Sequence, residues 1–254
     1  MLEVRQVSRH FGGLPALDKV SFHVTRGSVT ALIGPNGAGK TTMINCITGV
    51  DRPSSGRILF NNQNITGLPP FAIARLGVSR TFQNLRLFNR LTVLDNVLCG
   101  LTVQGGRSLL GALLRPPRVR NRERRLRLKA MAALDQFGLA DQADWPVSVL
   151  AYGDRKRVEL ARAVVRDPQI LLLDEPVAGL NSQETNVVGY EIRRLRAQGY
   201  TLMIVEHDMD LVMKVSDRIV VLDGGRCIAV GTPDEVTHNP LVLEAYLGRA
   251  SATA

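Results

Sequence analysis

The chain has 254 residues, 45% hydrophobic and 22% charged, with a formal net charge of +9. That composition fits a folded globular protein with a sizeable core and excludes a disordered or fibrous chain. No apolar run approaches the roughly 18 to 20 residues of a membrane-spanning helix, no apolar stretch follows Glu3 and Arg5 to make a signal peptide, and Cys46, Cys99 and Cys227 are too dispersed for a disulfide framework or a zinc site.

In chain order, short β-prone runs at 2–7, 20–24 and 28–33 are split by turns at Gly12-Gly13 and Arg26-Gly27. A helix is predicted from Lys40 to Thr48, then a strand at 56–60, a short helix at 69–76 and a strand at 78–81. From 91 to 149 the pattern turns helical, with breaks at Gly105-Gly106 and Pro116-Pro117. β/α alternation then resumes, with strands at 169–174, 201–206, 218–222 and 226–230 and helices at 182–198 and 208–215. Asn181 followed by Glu184 reads as a helix N-cap and Gly199 as a C-cap. An α/β core interrupted by a helical insert is the economical fold.

Residues 34 to 42, Gly34-Pro35-Asn36-Gly37-Ala38-Gly39-Lys40-Thr41-Thr42, form a complete G-x-x-x-x-G-K-[ST] phosphate loop between a predicted strand and a predicted helix. Strand, glycine turn and helix start aim backbone N–H groups at one point, where the helix dipole favours an anion. Lys40 is expected to reach the β- and γ-phosphates and Thr41 to ligate Mg²⁺. The apolar strand 170–173 ends in Asp174-Glu175-Pro176. A phosphate loop needs a second-strand Asp for Mg²⁺, which points to Asp174. Because neighbouring strand residues face opposite ways, Glu175 can turn to the nucleotide only if the strand stops, as Pro176 requires; it is then the candidate general base. Gln83 and His207 each follow a predicted strand, on the rim where open α/β sheets bind ligands.

The chain resembles, over nearly its whole length, the ATP-binding subunits of ABC transporters. Residues 34–42 match that family's first nucleotide motif and 170–175 its second, Gln83 its glutamine loop, His207 its switch histidine, and Leu150-Ala151-Tyr152-Gly153-Asp154 its signature loop. Phe11 stands where the family stacks an aromatic on adenine. The run Thr81-Phe82-Gln83-Asn84, the insert at about 104 to 130 and the ending Glu244-Ala245-Tyr246-Leu247-Gly248 look like the branched-chain amino acid importer branch.

The resemblance implies a P-loop NTPase core of mixed sheet and helices (1–90 and 166–254), with an N-terminal antiparallel β portion and an inserted helical subdomain carrying the signature loop (91–165). It implies ATP and Mg²⁺ as ligands. ATP contacts would come from Phe11, Gly34, Pro35, Asn36, Gly37, Ala38, Gly39, Lys40, Thr41, Thr42, Ala151, Tyr152 and Gly153. Thr41, Gln83 and Asp174 would hold the metal, and Glu175, His207 and Gln83 would serve hydrolysis. The implied partners are two permease subunits, a second ATP-binding subunit (related or identical) and, indirectly, an extracytoplasmic binding protein, at the cytoplasmic face of the cell membrane. An exporter subunit for lipid or lipopolysaccharide, or a soluble ABC protein, remains the alternative.

Two positions depart from the pattern. Ala151 replaces the usual signature serine and Asp154 the usual glutamine. An acid suits a helix start but repels phosphate if it points inward, so Asp154 is expected to point outward. The basic residues Arg115, Arg118, Arg120, Arg122, Arg124, Arg125, Arg127 and Lys129 crowd one segment, with Leu126, Ala130, Ala133, Leu134 and Phe137 on one helical face behind them. A solvated face, an anionic membrane surface and an acidic partner all fit; with 5% aromatics and no stacking platform, specific nucleic-acid binding fits least.

Overall fold

A computed structural model describes residues 1–81, 83, 85–101 and 117–247. Phe82, Asn84, Gly105-Gly106, Arg115, Pro116 and Gly248, which the sequence reading uses, lie outside the described residues, as does the side chain of Arg118. The chain separates into two compact units, Met1–Arg80 with Gln169–Ala254, and Thr81–Pro168; the sequence reading divides it at 90/91 and 165/166.

The first unit opens with β1 (Leu2–Phe11) and β2 (Leu14–Val24), an antiparallel hairpin across Gly12-Gly13. Both strands outrun their predicted spans. Residues 8–11 and 14–19 show no apolar alternation to read, and it is pairing across the short turn that makes them strand. β3 (Val29–Ile33), α1 (Lys40–Thr48), β4 (Ser55–Phe60), β5 (Gln63–Asn64), α2 (Pro70–Arg75) and β6 (Val78–Arg80) follow. β2, β1, β4 and β5 form one antiparallel sheet.

After the insert come β7 (Ile170–Asp174) and β8 (Thr201–Val205), with β9 (Arg218–Asp223) and β10 (Arg226–Gly231) completing a six-stranded sheet of order β10-β9-β3-β8-β7-β6. It is parallel except for the β9–β10 pair. All five residues of β3, of β7 and of β8 are buried, the pattern of central parallel strands covered on both faces. Met43, Ile44 and Ile47 of α1 pack into one core with Leu32, Leu172, Met203 and Val220 from the parallel sheet and Leu2, Val20 and Ile58 from the antiparallel one.

The helix from Ser182 to Ala197 starts on a full capping box between Asn181 and Glu184, which contributes about 1 kcal/mol. Gly199, at φ 91°, follows its end as read from the sequence. Two short C-terminal helices, Pro233–Thr237 and Pro240–Leu247, are additions to the sequence reading. Thr232 and Glu235 form a capping box for the first of them, a signal present in the sequence.

In the second unit α3 (Val93–Cys99), α4 (Pro117–Gln136) and α5 (Tyr152–Val164) pack on one another. Ala130, Ala133, Leu134 and Phe137 form the buried face of α4 and its end, as their spacing predicts, while Arg120, Arg122, Arg124, Arg125 and Arg127 are exposed. Asn96 is fully buried and exchanges hydrogen bonds with the backbone of Phe88 at 2.8 and 3.2 Å, which holds the 88–92 turn on α3. Among the described residues no helix is long and apolar enough to cross a membrane.

Candidate nucleotide-binding site

The site is built at the carboxyl rim of the parallel sheet. β8 lies between β3 and β7, so three neighbouring strands deliver their ends to one edge. The phosphate loop leaves β3, Asp174 and Glu175 leave β7, and Glu206 and His207 leave β8.

Glycine is required in the phosphate loop at two points. At Gly34 (φ 147°) a Cβ would sit 2.0 Å from the Leu222 carbonyl oxygen, and at Gly39 (φ 100°) 2.6 Å from that of Ala16. Backbone blocks both positions, so no side-chain adjustment could make room. Gly39 is also the N-cap of α1 and supplies no side-chain cap, which leaves the first-turn N–H groups facing the loop. The Lys40 ammonium donates to the carbonyls of Gly34 at 2.7 Å and Pro35 at 3.1 Å and so sits over the loop. Burial lowers its pKa, while the charges of Glu175 and then Asp174 push it up. Both carboxylates therefore act on the lysine that the phosphate loop presents. Thr41 is exposed, Thr42 half-buried, Asn36 and Gly37 exposed, and Ala38 buried beneath the loop.

Asp174 is the last residue of β7 and is buried. Its Oδ2 accepts from Arg80 at 2.7 Å, and the same guanidinium donates to Asn45 on α1 at 2.8 Å. Sequence reasoning missed Arg80, whose partner lies 94 residues away in the chain and meets it only across the sheet. With side chains only 11% and 8% exposed, removing either partner would cost about 3–5 kcal/mol. Glu175 breaks from the strand with φ 47°, a left-handed conformation that costs a non-glycine residue about 1–2 kcal/mol. Its N–H donates to the Val205 carbonyl at 2.9 Å. The expected turn is thus made by Glu175 itself, ahead of Pro176.

His207 is exposed at the end of β8. Glu206 before it is fully buried, and sequence reasoning assigned it no role. Its Oε1 accepts from the Val177 N–H at 3.0 Å, and its Oε2 accepts from the N–H groups of His207 at 3.0 Å and Asp208 at 3.4 Å. Burial raises its pKa against the lowering effect of those amides. Phe11, at the end of β1, is 44% exposed, which rules out a core role, and the Arg9 guanidinium lies 4.3 Å from its ring centre.

Gln83, Ala151, Tyr152 and Gly153 belong to the second unit. Ala151 is the N-cap of α5 and gives no side-chain cap, so this helix start also presents bare N–H groups. Asp154, in the first turn, pairs with Arg157 one turn on, and Arg157 also donates to the Phe137 carbonyl at 3.1 Å. The acid at this helix start is therefore neutralised by its own helix. The buried Lys156 reaches the Gln83 carbonyl at 3.4 Å, and Arg162 donates to the carbonyl of Arg86. Two basic side chains of α5 thus hold the segment that follows Gln83.

A hard divalent cation on a nucleotide takes oxygen ligands, mostly phosphate and water, and needs only one or two from protein. The Thr41 hydroxyl and the Asp174 carboxylate are such donors. Among the described residues no group of three or more His, Cys, Asp or Glu side chains could hold a metal by itself. A hydroxyl and a single carboxylate fit a metal bound together with a phosphate ligand.

Residues 17–178 match the family described as ABC transporter, and residues 226–252 the one described as branched-chain amino acid ATP-binding cassette transporter. The chain is 44% identical over 251 residues to the high-affinity branched-chain amino acid transport ATP-binding protein LivG of Escherichia coli K12, covering 98% of each. It is 43% identical, with the same coverage, to BraF of Pseudomonas aeruginosa, which carries the same description. The ADP conformation of an ATP-binding cassette of an ABC transporter superposes with a TM-score of 0.86 at 34% identity, covering 98% of both chains.

Proposed function

The chain belongs to the ATP-binding subunits of ABC transporters, and from that premise we propose that it hydrolyses ATP to drive import of branched-chain or related amino acids. The observation that carries the hydrolytic part is the meeting at one sheet rim of Lys40, Asp174 and Glu175, with both acids acting on the lysine. The amino-acid part draws support from the similarity of residues 226–252 to the branched-chain family and from the names of the relatives.

In this reading the α1 start and Lys40 hold the β- and γ-phosphates. Thr41 and Asp174, with Gln83, would hold Mg²⁺, which would neutralise phosphate charge when bound. Glu175 accepts a proton from the attacking water, His207 orients the γ-phosphate end, and Phe11 stacks on adenine. Two subunits, identical or related, bind two nucleotides head to tail, each between the phosphate loop of one and residues 151–153 of the other. The bare helix start at Ala151 supports that role because it offers positive dipole and no competing cap. Two permease subunits receive the resulting motion at the cytoplasmic face of the membrane, and an extracytoplasmic protein delivers the cargo.

The test is reconstitution in vesicles with the permeases, the partner ATPase and the binding protein. Leucine uptake should require ATP. Glu175→Gln should still bind ATP while turnover falls roughly 10²- to 10⁴-fold, the range for loss of a general base. Uptake without ATP, or near-normal turnover in Glu175→Gln, overturns the proposal.

A further inference from the structure

We propose that Glu206 is a positioning residue for ATP hydrolysis, clipping the backbone beyond Glu175 and the backbone of His207 to one carboxylate. This rests on the assignment of Glu175 and His207 to the reaction. Glu206 is 0% exposed, and burying a carboxylate is costly unless donors satisfy it. Here three backbone amides do so, from two separate segments. Oε1 takes the Val177 N–H, two residues after Glu175. Oε2 takes the N–H groups of His207 and Asp208. The Glu175 N–H donates to the carbonyl of Val205, so the turn after β7 is stitched to consecutive residues, 205 and 206, of the neighbouring strand end.

That stitching bears on both groups assigned to the reaction. Glu175 holds a left-handed backbone, which persists only if its surroundings impose it. The His207 side chain is 65% exposed, and its Nδ1 lies 3.9 Å from Glu206 Oε2, beyond hydrogen-bonding range. The imidazole is therefore aimed through its backbone. A carboxylate suits this place in a way that its amide isostere does not, because every partner is a donor. Gln would turn an NH₂ group toward an N–H on one side and release that segment.

The test compares Glu206→Gln, Glu206→Asp, His207→Ala, Glu175→Gln and the double variant Glu206→Gln/His207→Ala in the reconstituted transporter, measuring kcat, KM and nucleotide affinity. Glu206→Gln should lower kcat roughly 10- to 100-fold, the scale for losing an outer-shell partner. KM and nucleotide affinity should stay within about threefold, since the phosphate loop is untouched. The double variant should lose less than the product of the two single losses, because part of the Glu206 effect passes through His207 while the rest acts on the turn at Glu175. A wild-type kcat in Glu206→Gln, an equal loss of affinity and rate, or multiplicative losses in the double variant would overturn the proposal. If Glu206→Gln does not fold, Glu206→Asp decides the matter. It keeps the charge but is one methylene too short to span both segments, so a wild-type kcat there also overturns the role. Full turnover in Glu175→Gln and His207→Ala would instead remove the catalytic assignment on which the inference stands.

Discussion

The helix starts at Gly39 and at Ala151 both lack a side-chain cap, and they are built for different work. The first is wedged in place by glycines that backbone carbonyls crowd, carries Lys40 over its mouth, and feels two carboxylates. The second has Arg155 in its first turn, donating to the carbonyls of Leu150 at 2.9 Å and Ser148 at 2.7 Å, and its only first-turn acid is Asp154, which Arg157 neutralises. A bare helix end contributes about 0.3–1 kcal/mol toward an anion; the first start adds a lysine donating to the carbonyls of its own loop, and the second an arginine turned back to the residues before the helix. In the proposed function the second start adds to a phosphate that the first already holds.

The contrast can be broken from either side. Lys40→Ala should have the largest effect, weakening nucleotide binding and lowering turnover roughly 10²-fold or more, the scale for losing a charge-stabilising donor. Unchanged affinity by isothermal titration would show that the first start does not depend on its cation. Arg157→Ala should leave nucleotide affinity of the isolated subunit intact but lower turnover about 3- to 10-fold, because an unpaired Asp154 places negative charge at the second start. Arg157→Ala/Asp154→Asn should recover most of that loss in a steady-state ATPase assay. Ala151→Ser should change turnover less than about tenfold, since one hydrogen bond to a charged group contributes roughly 1.5–3 kcal/mol at most; a larger change would mean that the second start is limited by its missing hydroxyl.

The smallest effect is a fraction of a proton. Burial lowers the Lys40 pKa below 10.5, and a bound phosphate would raise it again. Between the lowered value and 10.5, nucleotide binding should take up protons, and affinity should fall as pH rises through that window. Titration calorimetry in alkaline buffers of different ionisation enthalpy reads the uptake, and Lys40→Ala should abolish it.

Much of the site was legible because its parts are local. A phosphate loop is nine consecutive residues whose glycines, lysine and threonine have duties set by neighbours in the chain. Asp174 and Glu175 announce themselves at the end of an apolar run, and Asn181 with Glu184 marks a helix start by spacing alone. Less was legible where a residue's duty comes from a distant partner. Arg80, Arg157 and Glu206 receive no role from the sequence; each is defined by a contact, with Asp174, with Asp154 and Phe137, and with the Val177 amide.

By itself, then, the sequence determined most strands and helices of the β/α core, the phosphate loop and the two acids at the end of β7, since periodicity, turn chemistry and motif spacing act over a few residues. Only tertiary structure decided that β8 would lie between β3 and β7, that Glu175 would adopt a left-handed turn, and that a buried Glu206 would join two strand ends. Strand order and the pairing of buried charges depend on which desolvated groups find partners across the sheet, and linear spacing carries no record of that.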